Sequence, residues 1–215
     1  MKQEKERYTF NAAEFNEKVM KGHFKKIYPV IARQILERTG ITSGRCIDLG
    51  GGPGMLAVEL AKASALDVTV CDVTFECVAL AEENSREHGV HERVSAVQGA
   101  AEKLPFDDNS VELVVSRGSI FFWEDQQKGL SEVYRVLCPG GWAYIGGGFG
   151  TAELLQEILV EKADDPKWDA QRKERLSKNP PGHFEAMLLK LGIDGAVERG
   201  EAGMWIIFRK STPQP

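Results

Sequence analysis

Apolar positions along this chain change period from one region to the next, and the changes mark out its elements. Residues 10–20 carry an amphipathic helical pattern. A second such pattern runs through Ile27, Val30, Ile31, Gln34, Ile35 and Arg38, with Pro29 in its first turn. Residues 39–44 (TGITSG) then end that helix. Beyond them, short apolar runs alternate with helical stretches: strands at 45–49, 67–71, 93–97, 111–115 and 141–146, helices at 53–64, 74–88 and 125–137. Thr151 caps a further helix. Residues 163–180 are polar and broken at Asp165-Pro166 and again at 179–182 (NPPG). A helix at 184–191 and strands at 196–199 and 204–209 close the pattern. Strand–helix alternation of this kind predicts a parallel sheet with helices on both faces. No internal repeat or low-complexity segment interrupts it.

The first strand ends in the run 46–61 (CIDLGGGPGMLAVELA), where a carboxylate is followed by a glycine cluster and then a helical pattern. Strand, glycine turn and helix together build a nucleotide-sized crevice at the carboxyl end of a parallel strand. A dinucleotide fingerprint, G-x-G-x-x-G, counted from Gly50 would need glycine where Met55 stands. The spacing here is instead D-x-G-x-G-x-G, through Asp48, Gly50, Gly52 and Gly54. The second strand (68–72, VTVCD) ends in Asp72, 18 positions after Gly54, where a carboxylate can accept both hydroxyl protons of a ribose.

These residues resemble the first motif of the class I S-adenosylmethionine-dependent methyltransferases, in their small-molecule, type 11-like branch. Segments 97–106 (VQGAAEKLPF), 110–116 (SVELVVS) and 132–141 (EVYRVLCPGG) follow in the family's order, so the resemblance covers roughly residues 44–150. It implies a Rossmann-like, doubly wound α/β sheet of seven strands. Most are parallel, with the last antiparallel between two earlier ones. Residues 1–40 are then an N-terminal helical lid and 41–215 the core of one methyltransferase domain. The implied cofactor is S-adenosyl-L-methionine. Gly50, Gly52 and Gly54 would admit it, with Asp48 and Leu49 near its methionine end. Asp72 would take the ribose hydroxyls, Val73 would pack on the adenine, and Ala101 with Glu102 would meet the adenine edge. Ser116 stands at the carboxyl end of the fourth strand. One departure is Ala100, where many relatives carry an aspartate for the adenine amino group.

Methyl transfer from a sulfonium is an in-line displacement with an activated leaving group, so alignment and water exclusion contribute most. A base is needed only for a nucleophile protonated at neutral pH, and no catalytic residue is assigned. Candidate acceptor contacts are Tyr28, Arg117, Trp123 and Gly147. Arg117 can bind a carboxylate or phosphate bidentately, or pair structurally with Glu124 or Asp125. Phe121, Phe122 and Trp123 can line a pocket or pack in the core. The glycines at 146–150 are expected to leave open space beside the methyl group. In the lid, Tyr8 and His23 join Tyr28, with His23 the one histidine placed to act as a base. His88 and His91 read as surface residues, and His183 as a loop residue.

Composition trims this picture. A net charge of −5, with no long basic tract, disfavours nucleic acid as substrate; the resemblance to the small-molecule branch implies a small-molecule methyl acceptor. No apolar run reaches the roughly 20 residues of a membrane span. Residues 1–7 do not read as a signal peptide, so a cytoplasmic enzyme is expected, monomer or homodimer. Cys46, Cys71, Cys77 and Cys138 lack metal-ligand spacing and read as reduced thiols, with no metal expected. Two alternatives remain: a non-catalytic, regulatory S-adenosylmethionine-binding protein, and an NAD(P)-dependent oxidoreductase. The latter is opposed by Met55 and by the lack of a Tyr-x-x-x-Lys pair.

Overall fold

A computed structural model describes residues 11–212; Tyr8, residue 10 of the first expected helix and the 1–7 segment lie outside them. The described chain begins with a helical turn, α1 (Ala12–Glu14), capped by the Asn11 side chain, which accepts from Glu14 N–H. A π-helix then runs over Phe15–His23. This corrects the regular helix expected at 10–20. The widened register leaves Phe24 N–H donating to Val19 O at 2.8 Å, and Gly22 takes the non-helical backbone that ends it. Helix α2 (Ile27–Thr39) follows, with Gly40 in the left-handed conformation at its end. Ile27, Ile31 and Ile35 recur at helical spacing and are fully buried.

The seven strands are β1 (Ser43–Leu49), β2 (Ala65–Asp72), β3 (Val94–Gln98), β4 (Val111–Arg117), β5 (Leu137–Gly148), β6 (Gly195–Gly200) and β7 (Gly203–Arg209). They lie in the order β3-β2-β1-β4-β5-β7-β6, with β7 antiparallel to both its neighbours. That is the expected Rossmann-like arrangement. Between the strands run α3 (Met55–Ala63), α4 (Phe75–Glu87), α5 (Gln126–Val136), α6 (Ala152–Glu161), α7 (Pro166–Lys178) and α8 (Pro181–Leu191). One core layer places α2 and α3 against Cys46, Val68, Val70, Leu113, Val115, Tyr144 and Ile207. The opposite layer places α5 and α8 against Ile47, Leu49, Val114, Ile145 and Phe208. Alternate strand residues thus serve opposite faces, as the pleat requires.

Two boundaries differ from the pattern. Pro166 and Pro181 start helices rather than break them, because a first-turn position needs no N–H donor. Asp165 caps α7 by accepting from Trp168 N–H at 3.2 Å. His183 consequently lies in α8, not in a loop. The Pro139-Gly140-Gly141 turn belongs to β5, whose pairing with β4 shifts register between Val111 and Leu113.

Candidate functional site

Adjacent strands β1 and β4 lead away in opposite directions, to β2 and β3 on one side and to β5 on the other. That reversal opens a crevice at their carboxyl ends. Strand parity decides what faces it. Asp48 shares its face with Cys46, Asp72 with Val70, and Arg117 with Val115, all on the side covered by α2 and α3.

The turn after β1 holds Gly50, Gly52 and Gly54 at φ of 62°, 56° and 78°, conformations unfavourable to any residue with a Cβ. Gly51 is needed for another reason: a methyl group there would fall 2.6 Å from Asp48 Oδ2. Asp48 is 1% exposed, and its Oδ2 accepts from Ala57 N–H at 3.2 Å. Its Oδ1 is buried with no partner among the described residues. Burial pushes this carboxyl up to about 7, opposed by the Ala57 bond and assisted by the charge of Asp72. Asp72 has both oxygens engaged by backbone. Oδ2 accepts from Gly52 N–H and Oδ1 from Thr74 N–H, each at 2.9 Å. One carboxylate therefore links the end of β2 to the glycine turn. Val73, beside it, is 62% exposed, with its carbonyl held by Gln98 Nε2.

A small cavity of about 60 Å³ lies against the turn, lined by Phe15, Met20, Tyr28, Asp48, Gly50–Gly52, Leu56 and Arg117. The Arg117 guanidinium sits 4.5 Å from the Phe24 ring centroid, 5.1 Å from that of Phe149 and 5.9 Å from that of Tyr28. Its Nε donates to Gly148 O at 3.0 Å. No Asp or Glu lies within ion-pair distance of it among the described residues, so the pairing with Glu124 or Asp125 does not form. Burial lowers its pKa, and the neighbouring Arg175 charge adds to the effect. Tyr28 is 2% exposed and bonds to Met20 Sδ at 2.7 Å; desolvation lifts its hydroxyl to about 12. The π-helix is tied down over this cavity. Asn84 Nδ2 donates to Asn16 Oδ1 at 3.0 Å and to Pro53 O at 2.8 Å, and Lys21 pairs with Glu87.

The remaining expected residues fall elsewhere. Ser116 points to the opposite face, fully buried, with its Oγ 2.6 Å from Ser119 Oγ. Ser119 in turn donates to the Leu49 carbonyl at 3.0 Å, and accepts from Trp123 Nε1 at 3.1 Å. Trp123 packs over Gly129, where an added methyl would come within 2.5 Å of its ring. It is a wall of α5 and does not line the cavity. Glu102 accepts from Asp125 N–H at 3.2 Å, next to the start of α5, and Ala101 is buried in the α5 layer. The open space expected at the end of β5 is filled. A methyl on Gly147 would meet Phe121 at 2.9 Å, and one on Gly148 would meet Trp205 at 2.8 Å. His23 Nδ1 lies 2.9 Å from Glu161 Oε2, and His23 does not line the cavity. His91 is exposed, His88 is partly buried with an unpartnered Nε2, and His183 Nε2 lies 2.8 Å from Gln126 Oε1.

Sequence reading missed Phe24, Phe149, Asn16 and Asn84. The Asn pair had no local signal, being 68 positions apart. Phe24 and Phe149 meet edge-on at 5.7 Å and share Arg117 and Trp168 as neighbours, contacts between segments far apart in the chain. No helix among the described residues is long and apolar enough to cross a membrane, and no cluster of three or more His, Cys, Asp or Glu could hold a metal.

Comparison with known proteins agrees with this geometry. The family model for a methyltransferase domain matches residues 47–145. The crystal structure of a candidate S-adenosyl-L-methionine-dependent methyltransferase from Methanococcus maripaludis is 38% identical, with 94% of this chain and 93% of that one covered and a TM-score of 0.89. A demethylmenaquinone methyltransferase of Chlorobaculum tepidum is 36% identical over 53% of this chain and 44% of its own length. The ubiquinone/menaquinone biosynthesis C-methyltransferase of Brucella abortus is 35% identical over 70% of this chain and 54% of its own. The chain spans about half, or less, of the length of these curated relatives.

Proposed function

The chain belongs to the S-adenosyl-L-methionine-dependent methyltransferases, and from that premise we propose that it methylates a small-molecule acceptor at the carboxyl ends of β4 and β5. The observation that carries this reading is the bond from Gly52 N–H to Asp72 Oδ2, which holds a carboxylate against a turn of three left-handed glycines. Each Asp72 oxygen accepts one backbone N–H and keeps a second acceptor site for a ribose hydroxyl. The orphaned Oδ1 of Asp48 suits the ammonium of an amino-acid tail, which would satisfy it and draw the carboxyl back to its charged form. The residues therefore fit the family's cofactor: Asp48 would hold its amino-acid tail, Asp72 would hold its ribose, and the exposed Val73 would meet its adenine.

Bound S-adenosyl-L-methionine supplies an activated methyl group for in-line displacement. Gly52 gives it backbone clearance, while Gly50 and Gly54 let the turn pack against Ser119 and Ala81. The π-helix over the cavity, with Phe15, Met20 and Tyr28, excludes water from the reacting centre. Arg117 faces the same cavity and would hold a polar oxygen of the acceptor, in a cage of rings that restricts its position. Gly147 contributes by admitting Phe121 as a wall. The quinone-type acceptors in the names of the curated relatives support a small-molecule substrate. Titration calorimetry with S-adenosylhomocysteine and with NAD tests the reading. Heat with the former and none with the latter is expected; no heat with S-adenosylhomocysteine would sink it. Formation of S-adenosylhomocysteine from the methyl donor in a small-molecule extract then separates an enzyme from a protein that only binds.

A further inference from the structure

Phe121 joins the end of β5 to a second cavity. One edge of its ring lies against Gly147 at the end of β5. The ring also lines a second, more open cavity of about 310 Å³, between the segment after β4 and α7. Phe122, Gln171, Arg175, Lys178 and Asn179 complete that lining together with Glu174. Phe122 is 69% exposed, a large apolar surface on the segment that leads out of the transfer site. The Arg175 guanidinium sits 5.3 Å from its ring centroid.

The ion pairs of α7 single out Arg175. Arg172 is bound by Asp169 at 2.8 Å, and Glu174 by Lys178 at 2.7 Å. Arg175, half-buried between them, has no carboxylate within ion-pair distance among the described residues. Helix α7 buries no residue fully, and its hold on the core runs through one side chain. That side chain is Trp168, which packs edge-on to Phe149 at 6.0 Å and against Phe24 at 6.4 Å. Those two rings are the ones that cage Arg117. Two guanidinium groups without carboxylate partners among the described residues therefore stand each against its own rings, close enough for the charge of Arg175 to act on Arg117. An anion held in this region offsets that repulsion, and a guanidinium fork matches carboxylate and phosphate alike.

We propose that this second cavity receives the methyl acceptor, and that the acceptor carries a carboxylate or phosphate on a flat apolar body. Arg175 binds the anion, and Phe121 with Phe122 binds the body. The inference rests on the reading of the β4–β5 end as the transfer site. It narrows the acceptor from any small molecule to an anionic, ring-bearing one.

The test uses 2-naphthoate, 2-naphthyl phosphate and neutral 2-naphthamide as probes, titrated by NMR into the full chain, with S-adenosylhomocysteine titrated into the same samples. At least one anionic probe binds about tenfold more tightly than the amide, a difference of about 1.4 kcal/mol. Whichever anion binds better identifies carboxylate or phosphate as the group recognised. Arg175→Gln erases the preference and Arg175→Lys restores part of it. Phe122→Ala weakens all three probes together, and S-adenosylhomocysteine affinity is unchanged throughout. Equal affinity for the amide and the anions, a preference that survives Arg175→Gln, or no binding of any probe at millimolar concentration overturns the proposal. Failure of S-adenosylhomocysteine to bind, with the anion preference intact, would instead count against the methyl-transfer reading alone.

Discussion

Glycine does opposite things in the two halves of the sheet. After β1, Gly50, Gly52 and Gly54 adopt left-handed conformations, and the space beside Gly52 stays clear, its nearest neighbour being Phe15 at 3.9 Å. At the end of β5, Gly147 and Gly148 make room that Phe121 and Trp205 fill. The first half uses left-handed glycines to pack a tight turn that leaves backbone clear at Gly52; the second uses glycines to bring aromatic rings against a strand. The carboxylates and cations follow the same division. Asp48 and Asp72 stand on the glycine turn, while Arg117 and Arg175 stand among rings on the β4–β5 side. A chain that binds one partner with a cationic tail and another with an anionic group has reason to be divided in this way.

The sharpest way to break the comparison is to place side chains in both halves. Gly50→Val forces a β-branched residue to a positive φ and drives it into the Ser119 side chain. A loss of about 3 kcal/mol or more in urea unfolding is expected, together with loss of S-adenosylhomocysteine binding. Next in size is Arg117→Met. Removing a buried cation that has no carboxylate partner costs little stability, within about 1 kcal/mol, because the desolvation penalty leaves with it. Formation of S-adenosylhomocysteine in a small-molecule extract falls about a hundredfold, as expected for a lost charged contact. A large stability loss with intact turnover would make Arg117 a structural residue.

How much of this was legible in the sequence also divides along the same line. The glycine turn, Asp48, Asp72 and the strand–helix alternation are local patterns, set by spacing within some 25 residues. The order of the sheet and the antiparallel last strand followed from resemblance to a family. The ring-lined half depends on contacts between distant segments, and there the pattern was silent or misleading. Phe24 reaches Arg117 from the other end of the chain, and Trp205 fills the space beside Gly148 from β7. Helix α7 was hidden because its surface is polar nearly all round and its first residue is proline. Glu102 was put forward in place of the aspartate absent at Ala100, and Trp123 as one of three aromatics that could line a pocket or pack in the core. The start of α5 instead claims Glu102 through Asp125 N–H, and Ser119 claims Trp123.

The two carboxylates of the turn should separate under mutation. Asp72→Ala removes the acceptors of Gly52 and Thr74 N–H and weakens S-adenosylhomocysteine binding roughly 10- to 100-fold, with about 1–2 kcal/mol of stability lost. Asp48 is distinguished by pH. Its carboxyl is raised from 3.8 to about 7 in the folded chain, so the folded state holds a proton that the unfolded state has released. Its contribution is therefore fully present below about pH 4 and is lost as pH rises through about 7, the reverse of a salt-bridged carboxylate. Urea unfolding of the ligand-free chain at about pH 5.5 and about pH 8.5 should lose at least about 1 kcal/mol more in the wild type than in Asp48→Asn. S-adenosylhomocysteine should bind several-fold more tightly at the higher pH, where the carboxylate can meet an ammonium. An identical pH slope in the two proteins would remove Asp48 from the tail site.

The smallest effect is the most telling for the comparison itself. Gly147→Ala adds one methyl group 2.9 Å from the edge of the Phe121 ring, at a residue whose φ is not positive. Backbone strain is absent, and the obstacle is a side chain in an open cavity wall, free to turn aside. The expected cost is below about 1.5 kcal/mol, and S-adenosylhomocysteine affinity should not change. A displaced Phe121 nevertheless alters the cavity it lines, so turnover should fall more than stability does. Were Gly147→Ala to abolish S-adenosylhomocysteine binding as Gly50→Val does, the glycines of β5 would belong to the cofactor half, and the division of the sheet into a backbone-exposing half and a ring-admitting half would not hold.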